Sequence, residues 1–462
     1  MLPTSTSKGS APFNVKGLVN VYAELASSTQ ERGRFVLRNA HGLEQYRDIS
    51  TVGVCRGVLS TKNNFYAVFG NSLYRLQQNA DNVVKLLGSI PSTGHVPMAY
   101  NGDELVCVAD GRGFIYTEST DGFAEITDVN FLSPSDVTFI DGYFVFTERN
   151  GDIVFHSDLY DGTTYSALDR IKIQRNPDIN VAIESMYSEL WVFGRQTIEL
   201  LQNTGATRPA FTPISNTVVE VGCAAIASVV RIPDIGIMWL GSDRLVHLRA
   251  NSGKTQVTPH EIANRIREMS RVDDAVAWHY GWGAHRFYVI NFQSENCTFV
   301  YDINDNVWHE RTTHDANHWI GLYGAHYDNK ILVGDAFDSK IHQLKSDYYK
   351  DDLEVIRRSI TTPEIHSGYK GVSVRELSLK LKVGAGSYEP TDKIRLYASE
   401  DSGITFNLLQ ECDFAEGGQY NKRVIFHNLG HYPDGVIFRF ETAAQSPIEI
   451  IAAYIREEVH ER

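Results

Sequence analysis

"ELWVFGRQTIELL", residues 189–201, reads as two short apolar runs on either side of a glycine-containing turn. Each run is too short for a helix and rich in aromatic and β-branched residues, which is the sequence form of a β-hairpin. The pattern recurs along the chain. Before it come "NFYAVFGNSLYRL" (64–76), "ELVCVADGRGFIY" (104–116) and "GYFVFTERNGDIVF" (142–155). After it come "IGIMWLGSDRLVHL" (235–248), "HRFYVINFQSENCTFVYD" (285–302) and "NKILVGDAFDSKIHQL" (329–344). The turn residues Gly70, Gly111, Gly151, Gly194 and Gly241 are separated by 41, 40, 43 and 47 residues. Gly241 to Ser294 is 53, and Ser294 to Gly334 is 40. A period near 40 to 45 with β content is that of a β-propeller. Further strands precede most hairpins, as in "HVPMAY" (95–100), "DVTFI" (136–140) and "AAIASVV" (224–230), so each blade should hold three to four strands. The expected fold is all-β: a propeller of six or seven blades, seven preferred.

The long interval has a local cause. "TPHEIANRIREMSR" (258–271) has the pattern of a helix inserted between two hairpins, with Thr258 as N-cap, Pro259 at the first helical position and Glu261 completing a capping box. Ile262, Ile266 and Met269 share its apolar face. From about residue 350 a polar linker leads into six alternating strands, the pattern of an antiparallel β-sandwich. The division expected is therefore an irregular, ring-closing segment over 1–50, a propeller over 51–350 and a sandwich docking domain over 351–462. Neither the helix nor the N-terminal segment is required by a blade core on this reading, and insertions in a repeat often lie on binding faces, so both are candidates for contacts with neighbouring subunits or with another protein.

Composition narrows the function. Asp plus Glu total 57 against 43 Lys plus Arg, a net charge of -14, and no basic run exceeds a pair such as Arg357-Arg358. Non-specific nucleic-acid binding relies on clustered cations, so it is not expected. The five cysteines are an odd number, widely spaced and without a C-x-x-C pair; buried free thiols are expected. The N-terminus has no apolar signal segment, and no run is long enough to span a bilayer.

"ASEDSGITF" (398–406) fits the Asp-box of sialidase propellers: Ser399, Asp401, Gly403, Thr405 and Phe406. The three polar side chains can hydrogen-bond the backbone of the turn, Gly takes its special angle and the aromatic should plug the core beneath. The box is single and lies outside the propeller series; "SDLYDGTTY" (157–165) is a broken echo. A sialidase also requires an arginine cluster and a tyrosine nucleophile, which the sequence does not assemble. His309, His314, His318 and His326 have no compact zinc spacing and read as loop and strand-end residues. "YDINDNVWHER" (301–311) is an Asx-rich turn with Trp308 as blade anchor; it lacks EF-hand spacing. No phosphate loop, nucleophile elbow or dinucleotide fingerprint is present, so no catalytic residue, cofactor or metal is expected.

The succession "ELWVFGRQTIELLQNTGATRPAFTPI" (189–214), "GCAAIASVV" (222–230), "IMWLGSDR" (237–244), "GAHRFYVINF" (283–292), "FVYDINDNVWHER" (299–311) and "KILVGDAFDSKIHQL" (330–344) resembles the tail hub, or nozzle, proteins of short-tailed bacteriophages, also called packaged-DNA stabilisation proteins. "LVNVYAELA" (18–26) and "RFVLRNAHGLEQYRDI" (34–49) are similar to that family's opening, except that its usual Pro-Gly is Ala40-His41-Gly42 here. The resemblance implies a structural virion protein, made in the host cytoplasm, that forms a six-fold ring below portal and adaptor. The ring would extend the DNA channel, retain packaged DNA without binding it specifically, and dock spikes, fibres or a needle-type plug. The alternatives are a propeller glycosidase acting on host polysaccharide, which needs paired carboxylates at the propeller centre, and a kelch-type scaffold, which would form no closed ring.

Overall fold

A computed structural model describes residues 17–25, 35–77, 84–173, 178–215, 217–250, 253–313, 318–366, 371–383, 392–413 and 421–459. His314 lies outside them.

The seven hairpins become the middle two strands of seven four-stranded blades. Blades one to six span 55–89, 98–125, 134–172, 180–213, 230–256 and 275–311. Blade seven takes three strands from 321–345 and its outermost from Gly42–Asp48, antiparallel to Lys340–Lys345. The middle strands are apolar on both faces because each blade is packed between two others. Seven hydrophobic clusters fill the seven inter-blade spaces. Between blades four and five, Trp191, Phe193 and Trp239 are at most 1% exposed, and Phe193 meets Trp239 edge-on at 5.7 Å. Four cysteines, Cys55, Cys107, Cys223 and Cys297, are free and buried in these spaces; Cys412 is half-buried.

Three local expectations are corrected. "AAIASVV" is mainly a 3-10 turn over Ile226–Ser228, with the inner strand of blade five starting at Val230. Ser228 Oγ fixes that turn, donating to Ala225 O at 2.7 Å and accepting from Leu240 N at 3.1 Å. The helix runs only over His260–Glu268, with Pro259 as N-cap and no side-chain cap. Thr258 Oγ1 is occupied elsewhere, accepting from Val246 N at 2.6 Å in blade five. Ile262, Ala263, Ile266 and Met269 are buried in the core between blades five and six, and Arg265 forks onto Glu310 at 2.8 and 2.9 Å. The helix thus fills a core as well as offering a polar face, and removing 256–272 would open two blades.

The N-terminal segment is likewise ordered in strands over its described residues. Leu18–Val19 lies between blade six and Arg358–Thr361, with Val19 opposite both Glu310 and Ser359. One nine-stranded sheet therefore runs from blade six into the sandwich. Val21–Leu25 and Phe35–Asn39 join Ile448–Val459, Val372–Val383 and Asn421–Tyr432 in the second sandwich sheet. The sandwich is thus built from both ends of the chain, and 351–462 alone does not complete it.

Candidate functional site

The inner strands of all seven blades surround an axial cavity of about 600 Å³. Two carboxylates from adjacent blades reach it, Asp136 of blade three and Glu184 of blade four, with Arg231 of blade five beside them. Burial pushes the Asp136 carboxyl up to about 7 and also raises Glu184, which Arg231 partly opposes. Two carboxyls with raised pKa at a propeller centre are the arrangement a glycosidase needs. Their hydrogen bonds give them other work. Asp136 Oδ1 accepts from Val137 N and Oδ2 from Ile183 N, both at 2.8 Å, which ties blade three to blade four across a β-bulge. Glu184 Oε1 accepts from Ser185 N at 2.8 Å. Arg231 is the sole arginine among the described lining residues, so no cluster for a sugar carboxylate forms there. This pair was not legible in the sequence: the residues are 48 positions apart and meet only because inner strands converge on the axis.

Among the described residues of the series, His309, His318 and His326 do not converge. His309 is buried in mid-strand opposite Val300, a correction to its assignment to a loop or strand end. His318 Nδ1 meets Asn296 Oδ1 at 3.0 Å, and His326 Nε2 accepts from Gly281 N at 3.2 Å. Trp308 is buried, stacks on Tyr301 at 4.9 Å and donates to Val257 O at 2.9 Å. A different histidine gathers acids. His285 Nδ1 lies 2.6 Å from Asp302 Oδ2 and 3.7 Å from Asp305, and its Nε2 is 3.8 Å from Glu24. The Asp302 hydrogen bond raises the His285 pKa. Donor atoms of His285, Asp302 and Asp305 fall within 4.8 Å of one another, close enough for metal ligands. Glu24 comes from the N-terminal strand, so the group also bridges blade six and the sandwich. His285, Asp302 and Asp305 lie within one hairpin and its following turn, whereas Glu24 comes from a strand more than 250 residues earlier, so no spacing rule could have added it.

The Asp-box turn joins Lys393–Ser399 to Asn407–Asp413 in the sandwich. Asp401 accepts from Ser399 Oγ at 2.6 Å, from Thr405 Oγ1 at 2.6 Å and from the backbone N of Ile404 and Thr405 at 3.0 and 2.8 Å. Gly403 sits at φ 89°, a left-handed angle that Gly accepts without strain, and donates to Ser399 Oγ at 2.9 Å. Phe406 departs from expectation: it is half-buried under the Arg439 guanidinium, 3.5 Å from its ring centroid, instead of plugging the core. The Ser399 bond, then those of Thr405, hold the Asp401 carboxyl well below the usual range. Its contribution to stability should be complete above about pH 4 and fade as pH falls towards its folded pKa. Asp401→Ala is therefore expected to lower the melting temperature near neutrality, with the gap to the parent closing in strong acid. Identical melting curves at pH 7 would remove the turn-lock role.

Comparison with known proteins follows the same division. The family model described as "Bacteriophage P22 Gp10, beta-propeller" matches residues 5–349, and "Bacteriophage P22 Gp10, beta-sandwich" matches residues 357–458. The chain belongs to the bacteriophage P22 Gp10 family. The tail hub protein gp10 of Salmonella phage P22 is 23% identical over 468 residues, covering 91% of each chain. The solved structures of the computationally designed Ika8 protein and of U3-55K are more distantly similar. Their TM-scores are 0.41 and 0.42, with 11% and 8% identity, over 71% and 66% of this chain and 99% and 98% of theirs. The Ala40-His41-Gly42 stretch has a structural use in this chain. His41 is buried, its ring packs on Trp282 at 4.3 Å, and its carbonyl accepts from Arg311 Nη2 at 2.8 Å.

Proposed function

We propose that this chain is a structural protein of a short-tailed phage tail, forming the hub or nozzle ring below portal and adaptor. The observation that carries the reading is the match of both domains, in order, to the Gp10 family, with 91% coverage of the P22 tail hub protein. Six copies close the ring through a heterologous interface. The ring extends the DNA channel, retains packaged DNA and docks spikes, fibres or a plug. The net charge of -14 suits a passage through which a polyanion slides without adhering. The protein is made in the host cytoplasm and works in the virion tail. Chemistry is not part of this role: Asp136 is committed to joining blades.

Electron microscopy of the purified protein, alone and with a portal–adaptor complex, tests the reading. Six-fold rings seated under the portal are expected, and no turnover of sialosides or capsular polysaccharide. Particles that never bind the portal complex would overturn the assignment. So would polysaccharide hydrolysis abolished by Glu184→Gln, which would install the glycosidase instead.

A further inference from the structure

Between the two sheets of the sandwich is a cavity with about 20 Å³ of room for the centre of a water-sized sphere. Val21, Leu37, Leu381, Ile394 and Ile448 make much of its wall. Arg358, only 2% exposed, reaches it from the strand Arg358–Thr361. Its Nη1 donates to Ala444 O at 2.6 Å, while Nε and Nη2 meet no acceptor among the described residues. The neighbouring charged lining groups are engaged elsewhere: Arg38 with Glu449 at 2.7 Å, and Glu441 facing Arg439 at 3.9 Å. Burial, with repulsion from Arg311, lowers the Arg358 pKa to about 10, although Tyr349, Asp351 and Asp392 act in the opposite direction. Arg358 is thus a buried guanidinium, 5.4 Å from the Tyr349 ring centroid on one side and beside a mostly aliphatic cavity on the other, with two donor nitrogens, Nε and Nη2, that meet no acceptor among the described residues.

Such a group demands a matching acceptor. A water molecule could take one or both N–H donors, but its own hydrogens would then face a largely aliphatic wall, and the charge would stay. A monatomic anion needs donors alone and cancels the charge. We infer that this cavity is a halide-sized anion site, in which Arg358 holds a chloride-like ion through Nε and Nη2 and the ion secures the sandwich sheets around it.

An anion that binds the folded chain and not the unfolded one raises the melting temperature with its concentration. The full chain is to be melted in sodium chloride, sodium bromide and sodium gluconate at equal ionic strength; gluconate is too large for the cavity. A higher midpoint in both halides, rising with halide concentration, is expected, and Arg358→Met should abolish the halide-specific difference. As a measurement independent of how that variant folds, crystals of the parent protein soaked in bromide are expected to show an anomalous peak beside Arg358. Equal melting in all three salts together with no bromide peak would overturn the site in favour of water. So would a folded Arg358→Met protein that keeps the halide effect.

Discussion

Arg311→Met is expected to destabilise the protein by about 3 to 5 kcal/mol, the usual effect of removing one partner of a buried ion pair. Arg311 is fully buried on the outer strand of blade six and faces Asp351 at 3.5 Å, itself 1% exposed. Its guanidinium lies 4.1 Å from the Trp319 ring centroid and donates to the His41 carbonyl. It therefore links blade six, blade seven, the N-terminal segment and the stretch leading into the sandwich. The adjacent histidines cannot replace its charge. Burial first, then Arg311 itself, lowers His41 to about 3 and holds His309 well below the ordinary range. Without Arg311 a buried carboxylate remains, whose pKa burial already raises. A carboxyl with raised folded pKa is least unfavourable when protonated. The variant should therefore recover part of its deficit as pH falls towards about 4 and lose it again as pH rises. Urea titrations at about pH 4.5 and about pH 8, either side of most of that range, measure both effects. A deficit below about 1 kcal/mol at the higher pH would mean that Arg311 is not a joint.

Leu43→Asp is expected to be of similar or larger effect, at least about 4 kcal/mol, because it removes a buried aliphatic group and adds a carboxylate with no partner. Leu43 is 0% exposed and lies in the core between blades six and seven with Trp278, Trp319 and Leu344. It belongs to the strand that completes blade seven, opposite Leu344. Next to it the chain passes so close to its neighbour that a Cβ on Gly42 would stand 2.2 Å from the Tyr348 carbonyl oxygen. Losing this strand leaves the edge of Lys340–Lys345 unpaired and the first and last blades joined only by their side chains. Limited proteolysis should then cut within blade seven first. The half-buried neighbour Glu44, paired with Lys345 at the surface, provides the contrast: Glu44→Gln should change stability by less than about 1 kcal/mol. Equal stability of Leu43→Asp and the parent would show that blade seven closes without this strand.

The propeller was legible in the sequence because its information is local. A hairpin such as 189–201 needs only two apolar runs and a turn, and seven copies at a near-constant period leave few other folds. The Asp-box was legible for the same reason, since its hydrogen bonds stay within seven residues. The helix was legible as a helix, from Ile262, Ile266 and Met269, but its cap was not: Thr258 had a second use in blade five that only the fold supplies. The sequence pattern also misjudged what was dispensable. The helix and the N-terminal segment looked additional to the blades, yet both bury apolar residues in them.

What the sequence by itself determined is the repeated unit, its number within one, the all-β class and the family. These rest on backbone pairing and side-chain periodicity between residues close along the chain. What only the tertiary structure decided is how the ends are joined: Leu43 in blade seven, Val19 between blade six and the sandwich, Glu24 at His285, and Arg311 beside Asp351. Each of these pairs residues that are far apart in sequence or lie in segments with no repeat. Their energies depend on burial and on one close distance, and neither quantity exists until the ring has closed.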